Sequence, residues 1–128
     1  MTSILAAIPA AFGLVFVPRI LVVAALRQSK KFDNHHPRDA VKQLEGWGRR
    51  AQAAQDNGWE AFPAFAVGVL ASALTGARPE LAMLLCIVHL IARCAYVLCY
   101  VANWSSARSF VWLVGTGCTA ALMLLPVV

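Results

Sequence analysis

Charged residues are scarce in this chain, and their scarcity excludes a water-soluble protein. Only 13% of the 128 residues are Asp, Glu, Lys or Arg, whereas 60% are hydrophobic. Soluble domains carry about 25% charged residues. Residues 1–18 and 109–128 contain no charged side chain. Because so few charges cannot cover a surface exposed to water, most of the outer surface must contact lipid.

The chain also lacks recognisable metal-binding and hydrolytic motifs. It has no Cys-x-x-Cys pair, no Cys/His spacing typical of a zinc site, and no recognisable Ser/His/Asp arrangement. All four cysteines lie in apolar segments, so we interpret them as small buried hydrophobic residues. They are Cys86, Cys94, Cys99 and Cys118. We therefore predict no metal site.

Four apolar segments are long enough to cross a membrane, which takes about 20 residues of helix. The first is interpreted as a retained span and not as a cleaved signal, because no basic segment precedes it. The fold class is therefore predicted to be all-α, an integral membrane four-helix bundle forming a single domain over residues 1–128. The predicted spans are residues 4–26, 58–74 (the apolar end of a longer helix, 39–74), 80–101 and 107–125.

Basic residues are concentrated between the first two spans, where seven of the eleven Lys and Arg lie in residues 27–50. A basic block between two spans favours anionic lipid headgroups or an anionic ligand over nucleic acid as a partner. The positive-inside rule places this loop on the cytoplasmic side of the membrane. Because the number of spans is even, both termini are then expected on the opposite side.

Two polar stripes interrupt the apolar spans, although ionisable groups at membrane depth are costly and normally face a bundle interior or a wet cavity. In each stripe the spacing places all members on one face of a helix. The stripe on the second span contains Arg50, Asn57 and Glu60. The stripe on the third span contains His89, Arg93, Tyr96 and Tyr100. Arg108 lies near the start of the fourth span.

Two interpretations of these stripes remain open from the residues alone. In the structural one, Glu60 and Arg93 neutralise each other between helices, and His89 forms an interhelical hydrogen bond. In the functional one, the stripes bind a small anionic polar molecule. Arginine forks match carboxylates, Glu60 can hold an ammonium, and Asn57 can bond an amide. Arg108 can stabilise a thiolate by lowering the pKa of a thiol.

Several motifs together resemble a known family. Residues 46–65 contain Arg50, then Asn57 seven residues later, Glu60 three beyond it, and then Phe-Pro. This stretch resembles the signature of the membrane-associated proteins in eicosanoid and glutathione metabolism (MAPEG). The segment Arg93-x-x-Tyr96-x-x-x-Tyr100 is similar to the family's third-helix motif, and Ala107-Arg108-Ser109 to the start of its fourth helix. The resemblance covers essentially the whole chain.

The resemblance implies a homotrimer of four-helix subunits with glutathione as co-substrate, bound between neighbouring subunits near the cytoplasmic end. Family members conjugate glutathione to lipophilic electrophiles, reduce lipid hydroperoxides or isomerise prostaglandin endoperoxides. The leading hypothesis is therefore a membrane-bound glutathione-dependent transferase or peroxidase acting on a small lipophilic substrate, with Arg108 stabilising the thiolate. The glutathione-binding residues carried over are Arg50, Asn57, Glu60, Arg93, Tyr96 and Tyr100.

Two alternatives belong to other functional classes. The first is a non-catalytic membrane scaffold or partner subunit. It is favoured by Ala53, which stands where eicosanoid-type members often carry a second arginine. The second is a transporter or channel, which is disfavoured because only four spans and no broken helix are predicted.

Overall fold

Within residues 2–128, which the computed structural model describes, every regular element is a helix, as predicted. Met1, the first residue of the predicted domain, lies outside this part of the chain. A short 3₁₀ turn, Leu125–Val127, follows the last α-helix. The α-helices are α1 (Thr2–Leu5), α2 (Ala7–Gln28), α3 (Pro37–Lys42), α4 (Gly46–Thr75), α5 (Pro79–Val101) and α6 (Ser105–Leu124).

Four of these helices, α2, α4, α5 and α6, are long and apolar enough to cross a membrane, which confirms the predicted four-span architecture. Large apolar side chains lie on the outside of the bundle as well as in its interior. Among the most exposed are Ile20, Leu74, Ile91 and Leu98. In water such a surface would aggregate, so it is a surface suited to lipid.

The predicted continuous helix over residues 39–74 is wrong at its beginning. Helix α3 ends at Lys42, and α4 begins only at Gly46, after Glu45 has taken an extended conformation. Gly46 has a φ of +57°, a conformation that glycine adopts without steric cost. Between the helices, Leu44 is only 3% exposed and packs with Val22 and neighbours at the end of α2. Burial of this leucine therefore overrides the local helical preference.

Helices α2 and α4 approach each other closely because small residues line their contact. A Cβ atom on Gly48 would lie 2.6 Å from Cβ of Ala25, and one on Gly58 would lie 3.5 Å from Val15. Small residues let membrane helices pack backbone to backbone. These two contacts also fix the antiparallel register, with Val15 opposite Gly58 and Ala25 opposite Gly48.

The core lies between α4, α5 and α6. Phe65 and Val69 of α4 and Leu122 of α6 are fully buried there. Ser72 donates a buried hydrogen bond of 2.8 Å to the carbonyl oxygen of Leu122, which joins α4 to α6. This contact joins the C-terminal ends of α4 and α6, about three helical turns from Glu60 along α4.

The prediction that all four cysteines are buried is wrong for one of them. Cys86, Cys99 and Cys118 are buried, whereas Cys94 is exposed. Cys94 lies on the outward face of α5 together with Ile87, Ile91 and Leu98, which are also exposed. The polar stripe marks the inward face of α5, and at 100° per residue Cys94 lies about 140° from His89, so helical spacing could have separated Cys94 from the buried cysteines.

Candidate functional site

Asn57, near the middle of α4, joins the two polar stripes within one chain. Its Oδ1 accepts a 2.8 Å hydrogen bond from Nη1 of Arg93 on α5. Its Nδ2 donates a 3.2 Å hydrogen bond to Oε2 of Glu60, one turn along α4. The side-chain amide therefore lies between a guanidinium and a carboxylate, and it presents a matching polar group to each.

A direct ion pair between Glu60 and Arg93, which the structural interpretation required, is not formed. The salt bridges found among the described residues are His36–Asp33 and Lys42–Asp39, both in the exposed segment between α2 and α4. Glu60 is exposed, whereas Arg93 is partly buried. Both charged groups therefore keep donor or acceptor capacity for a ligand.

Arg93 also begins a continuous stack of cations and aromatic rings. Its guanidinium carbon lies 4.5 Å from the ring centroid of Tyr96. The rings of Tyr96 and Tyr100 meet edge to face, with centroids 5.6 Å apart. Cζ of Arg108, on the first turn of α6, lies 4.5 Å from the centroid of Tyr100. Cation–π contacts hold each arginine in place while leaving its N–H groups free to donate.

Arg50 lies apart from this group and has a local partner. Its Nε donates a 3.1 Å hydrogen bond to the carbonyl oxygen of Val101, the last residue of α5. A cation at this position satisfies an orphan carbonyl and interacts favourably with the negative end of the helix dipole. Because seven residues of helix rise about 10 Å, Arg50 lies about that distance from Asn57 along the axis of α4, toward the N-terminus of the helix.

A cavity of about 220 Å³ opens beside Asn57, Glu60 and Arg93. Its far wall comes from the middle of α6, a helix from which the sequence reasoning included only Arg108 in the site. The additional lining residues on that wall are Trp112, Thr116 and Thr119. Their spacing of four and three residues places them on one face of α6. The two threonines on a membrane helix were the sequence signal that could have identified this wall.

His89 forms the floor of the cavity and confirms the prediction of an interhelical hydrogen bond. Its Nδ1 donates to the carbonyl oxygen of Gly115 on α6 over 3.0 Å, and Oγ1 of Thr119 lies 3.3 Å from the same nitrogen. The imidazole stacks on Phe65 at a centroid distance of 3.8 Å. His89 is 2% exposed, so its ring is fixed by packing as well as by hydrogen bonding.

The charge of the site suits a polar ligand with more than one carboxylate and one ammonium. Three guanidiniums, those of Arg50, Arg93 and Arg108, accompany the single carboxylate of Glu60. Planar guanidiniums recognise carboxylates in a forked geometry. In the described part of the chain, no group of His, Cys, Asp and Glu side chains is arranged to hold a metal ion.

Comparison with known proteins gives one result that covers nearly the whole chain. The sequence model of the MAPEG family matches residues 4–128. The chain belongs to the MAPEG family. No curated protein and no solved structure gives a significant match. The MAPEG family is a family of membrane four-helix bundles that generally use glutathione, and it includes transferases, peroxidases and non-catalytic members.

Proposed function

We propose that this protein binds glutathione along the polar residues of α4, α5 and α6, from the cavity beside Asn57 toward Arg108, and conjugates it through its sulfur to lipophilic electrophiles dissolved in the membrane. The observation that carries the proposal is the unbroken polar array from Glu60 through Asn57 and Arg93 to the tyrosine pair and Arg108. Glutathione has two carboxylates, one ammonium, two amides and a thiol, and the array offers Arg93 for one carboxylate, Glu60 for the ammonium, Asn57 for one amide and Arg108 for the thiol.

The residues of the array divide this recognition between them. Arg93 is placed to pair with a carboxylate, Glu60 with the ammonium, and Asn57 with an amide. Arg50 lies at one end of the same face of α4 and is the candidate partner for the second carboxylate. That carboxylate would compete with the carbonyl of Val101 for the guanidinium of Arg50. Tyr96 and Tyr100 hold the neighbouring arginines by their ring faces.

Arg108 is the proposed catalytic residue. A guanidinium near a thiol favours the thiolate and lowers the pKa of the thiol. The thiolate is the nucleophile: its sulfur forms a bond to the electrophilic carbon, and the leaving group departs with the electron pair of the broken bond. A fixed thiolate beside a membrane-dissolved substrate gains further rate from proximity.

A neighbouring subunit is proposed to complete the cavity. Its volume of about 220 Å³ is below the roughly 300–1,000 Å³ of a typical ligand pocket. Its rim is exposed in the single chain, because Glu60, Trp112 and Thr116 all face outward. A homotrimer, which the family resemblance implies, would cover this rim and enlarge the pocket across the interface.

The orientation is proposed from charge. With the loop of residues 27–50 on the cytoplasmic side, Arg50 and Arg108 lie at that end of the bundle and glutathione enters from the cytoplasm. Tagged termini that are cleaved by protease only from the opposite side of sealed vesicles would support this orientation.

Calorimetry of glutathione binding tests the proposal directly. The protein is solubilised in detergent, its oligomeric state is measured, and glutathione is titrated to millimolar concentration. The proposal expects saturable binding that Arg93→Gln weakens at least tenfold. An intact oligomer that binds no glutathione would rule it out.

One alternative, a non-catalytic scaffold, is favoured by two specific observations. The amide of Asn57 already bonds both Arg93 and Glu60 within the chain, and Arg50 already has the carbonyl of Val101 as its partner. Ala53 also stands where eicosanoid-type members often have a second arginine. Under this alternative the array stabilises the bundle, and glutathione neither binds nor raises the melting temperature.

A further inference from the structure

A second polar site lies on the opposite side of α4, around Arg19 of α2. Val15 packs against Gly58 and Ala25 against Gly48, so in this antiparallel register Arg19 is level with Ala54. Nine residues of α2 follow Arg19 before the helix ends at Gln28, which is a rise of about 13 Å. Because Ile20–Leu26 are all apolar, Arg19 is a charge at membrane depth and needs a polar surrounding.

That surrounding is an open pocket of about 620 Å³ between α2, α3 and α4. Two further cations line it, Arg38 and Lys42 of α3. The α4 wall supplies Gln52, Gln55 and Asp56, and Trp59 lies below them. The pocket therefore has three positive charges and one negative charge, which favours an anionic occupant. Lys42 is free to turn inward, because its only contact is an exposed pairing with Asp39 at 3.4 Å.

The α4 wall also has an acceptor with no donor. Nε2 of Gln52 donates a 2.8 Å hydrogen bond to Oδ1 of Asp56. Its Oε1 is buried and is the one buried side-chain polar atom that lacks a hydrogen-bond partner among the described residues. Gln55 beside it is only 7% exposed. Because a buried acceptor without a donor costs free energy, a turn of the Gln52 amide toward a hydroxyl or ammonium donor in the pocket would be favourable.

An apolar groove of about 560 Å³ adjoins this pocket along the outer face of α2. Its apolar lining is Phe16, Ile20, Val23 and Ala24; Arg27 stands at its far end, and it shares Arg19 with the polar pocket. Phe16 also meets Trp59 edge to face at 5.5 Å. A ligand at Arg19 would thus have a cationic pocket on one side and a lipid-facing apolar groove on the other, as an amphipathic anion requires.

We propose that this pair of cavities binds one anionic phospholipid. The phosphate lies between Arg19, Arg38 and Lys42, a hydroxyl of the headgroup donates to Oε1 of Gln52 once that amide turns toward the pocket, and an acyl chain runs from Arg19 past Phe16 toward the middle of the bilayer. This site is separate from the glutathione cavity, since it shares no lining residue with it. The lipid proposal therefore does not depend on whether glutathione is a substrate.

Native mass spectrometry of the detergent-solubilised protein, with phosphatidylglycerol and phosphatidylcholine added in turn, tests this proposal. Phosphatidylglycerol has headgroup hydroxyls and a net negative charge, whereas phosphatidylcholine has neither. We expect one strongly retained phosphatidylglycerol per chain. Arg38→Ala combined with Lys42→Ala should weaken it about thirtyfold, because each basic residue contributes roughly fivefold. The matched control, Lys30→Ala with Arg49→Ala, removes two exposed charges outside the pocket and should change nothing.

A second variant tests the headgroup contact without altering charge. Gln52→Leu should weaken phosphatidylglycerol about fivefold, the usual worth of one hydrogen bond, and leave phosphatidylcholine unchanged. Equal retention of phosphatidylglycerol by both double variants overturns the proposal. So does its displacement by millimolar inorganic phosphate or glutathione, which would indicate a site for a soluble anion. Crosslinking of a cysteine introduced at position 38 to a second chain would overturn it too, because a neighbouring copy would then fill the pocket.

Discussion

Substitution of Asn57 separates a ligand site from a structural seam, because two replacements should differ in their effect on stability and both weaken ligand binding. Asn57→Leu removes the acceptor of the 2.8 Å bond from Arg93 and the donor to Glu60. A hydrogen bond to a charged group is worth about 1.5–3 kcal/mol. We therefore expect the stability of the bundle to fall by about that amount and the Kd for glutathione to rise about 10–100-fold.

Asn57→Asp keeps the shape of the side chain and changes its charge. A carboxylate at this position can pair directly with Arg93 across the same distance, which offsets the lost bond to Glu60 and the new like charge, so the bundle should lose less stability than in Asn57→Leu. The new carboxylate neutralises the guanidinium of Arg93. It also lies beside Glu60, which in the wild type accepts a 3.2 Å hydrogen bond from Nδ2 of Asn57. An anionic ligand should then bind at least tenfold more weakly.

Calorimetry with glutathione and thermal unfolding in detergent measure the two effects separately. Asn103→Asp makes the same chemical change in the exposed turn between α5 and α6, and it should affect neither. If Asn57→Asp bound glutathione within twofold of the wild type, the array would not be the binding site, whatever its role in stability.

Two further predictions concern packing and catalysis. Gly48→Ala should destabilise the bundle by about 1–3 kcal/mol, because the new Cβ would lie 2.6 Å from Cβ of Ala25. The control is Gly117→Ala, whose Cβ would have no neighbour within 4 Å. Thermal unfolding should show this control to be neutral or slightly stabilising. Tyr100→Phe should retain conjugating activity, whereas Tyr100→Leu should lose roughly five- to thirtyfold in kcat, since a ring face under Arg108 is worth about 1–2 kcal/mol. Equal activity of the two Tyr100 variants would show that the ring does not position Arg108.

The sequence predicts the spans well because hydropathy over 20 residues depends little on tertiary contacts. Helical spacing also places Asn57, Glu60 and Arg93 on the right faces, and the structure brings them together. Spacing cannot decide how side chains on facing helices pair. The amide of Asn57 between the two charges, and the engagement of Arg50 with Val101, follow from where the helices cross.

The remaining differences arise from packing that local sequence does not encode. The break between α3 and α4 depends on burial of Leu44 against the end of α2. The α6 wall of the cavity depends on which face of a nearly uncharged helix turns inward, and Thr116 and Thr119 give only a weak signal of that direction.

A thiolate held by Arg108 is the centre of the proposed mechanism, and the ultraviolet absorbance of bound glutathione measures that species directly. The difference spectrum between glutathione and S-methylglutathione, each bound to the protein at neutral pH, isolates the thiolate from the cysteines of the chain. We predict a thiolate band in the wild type that is lost in Arg108→Gln while glutathione still binds. Bound glutathione that shows no thiolate in the wild type, or the same band in both proteins, would contradict the account.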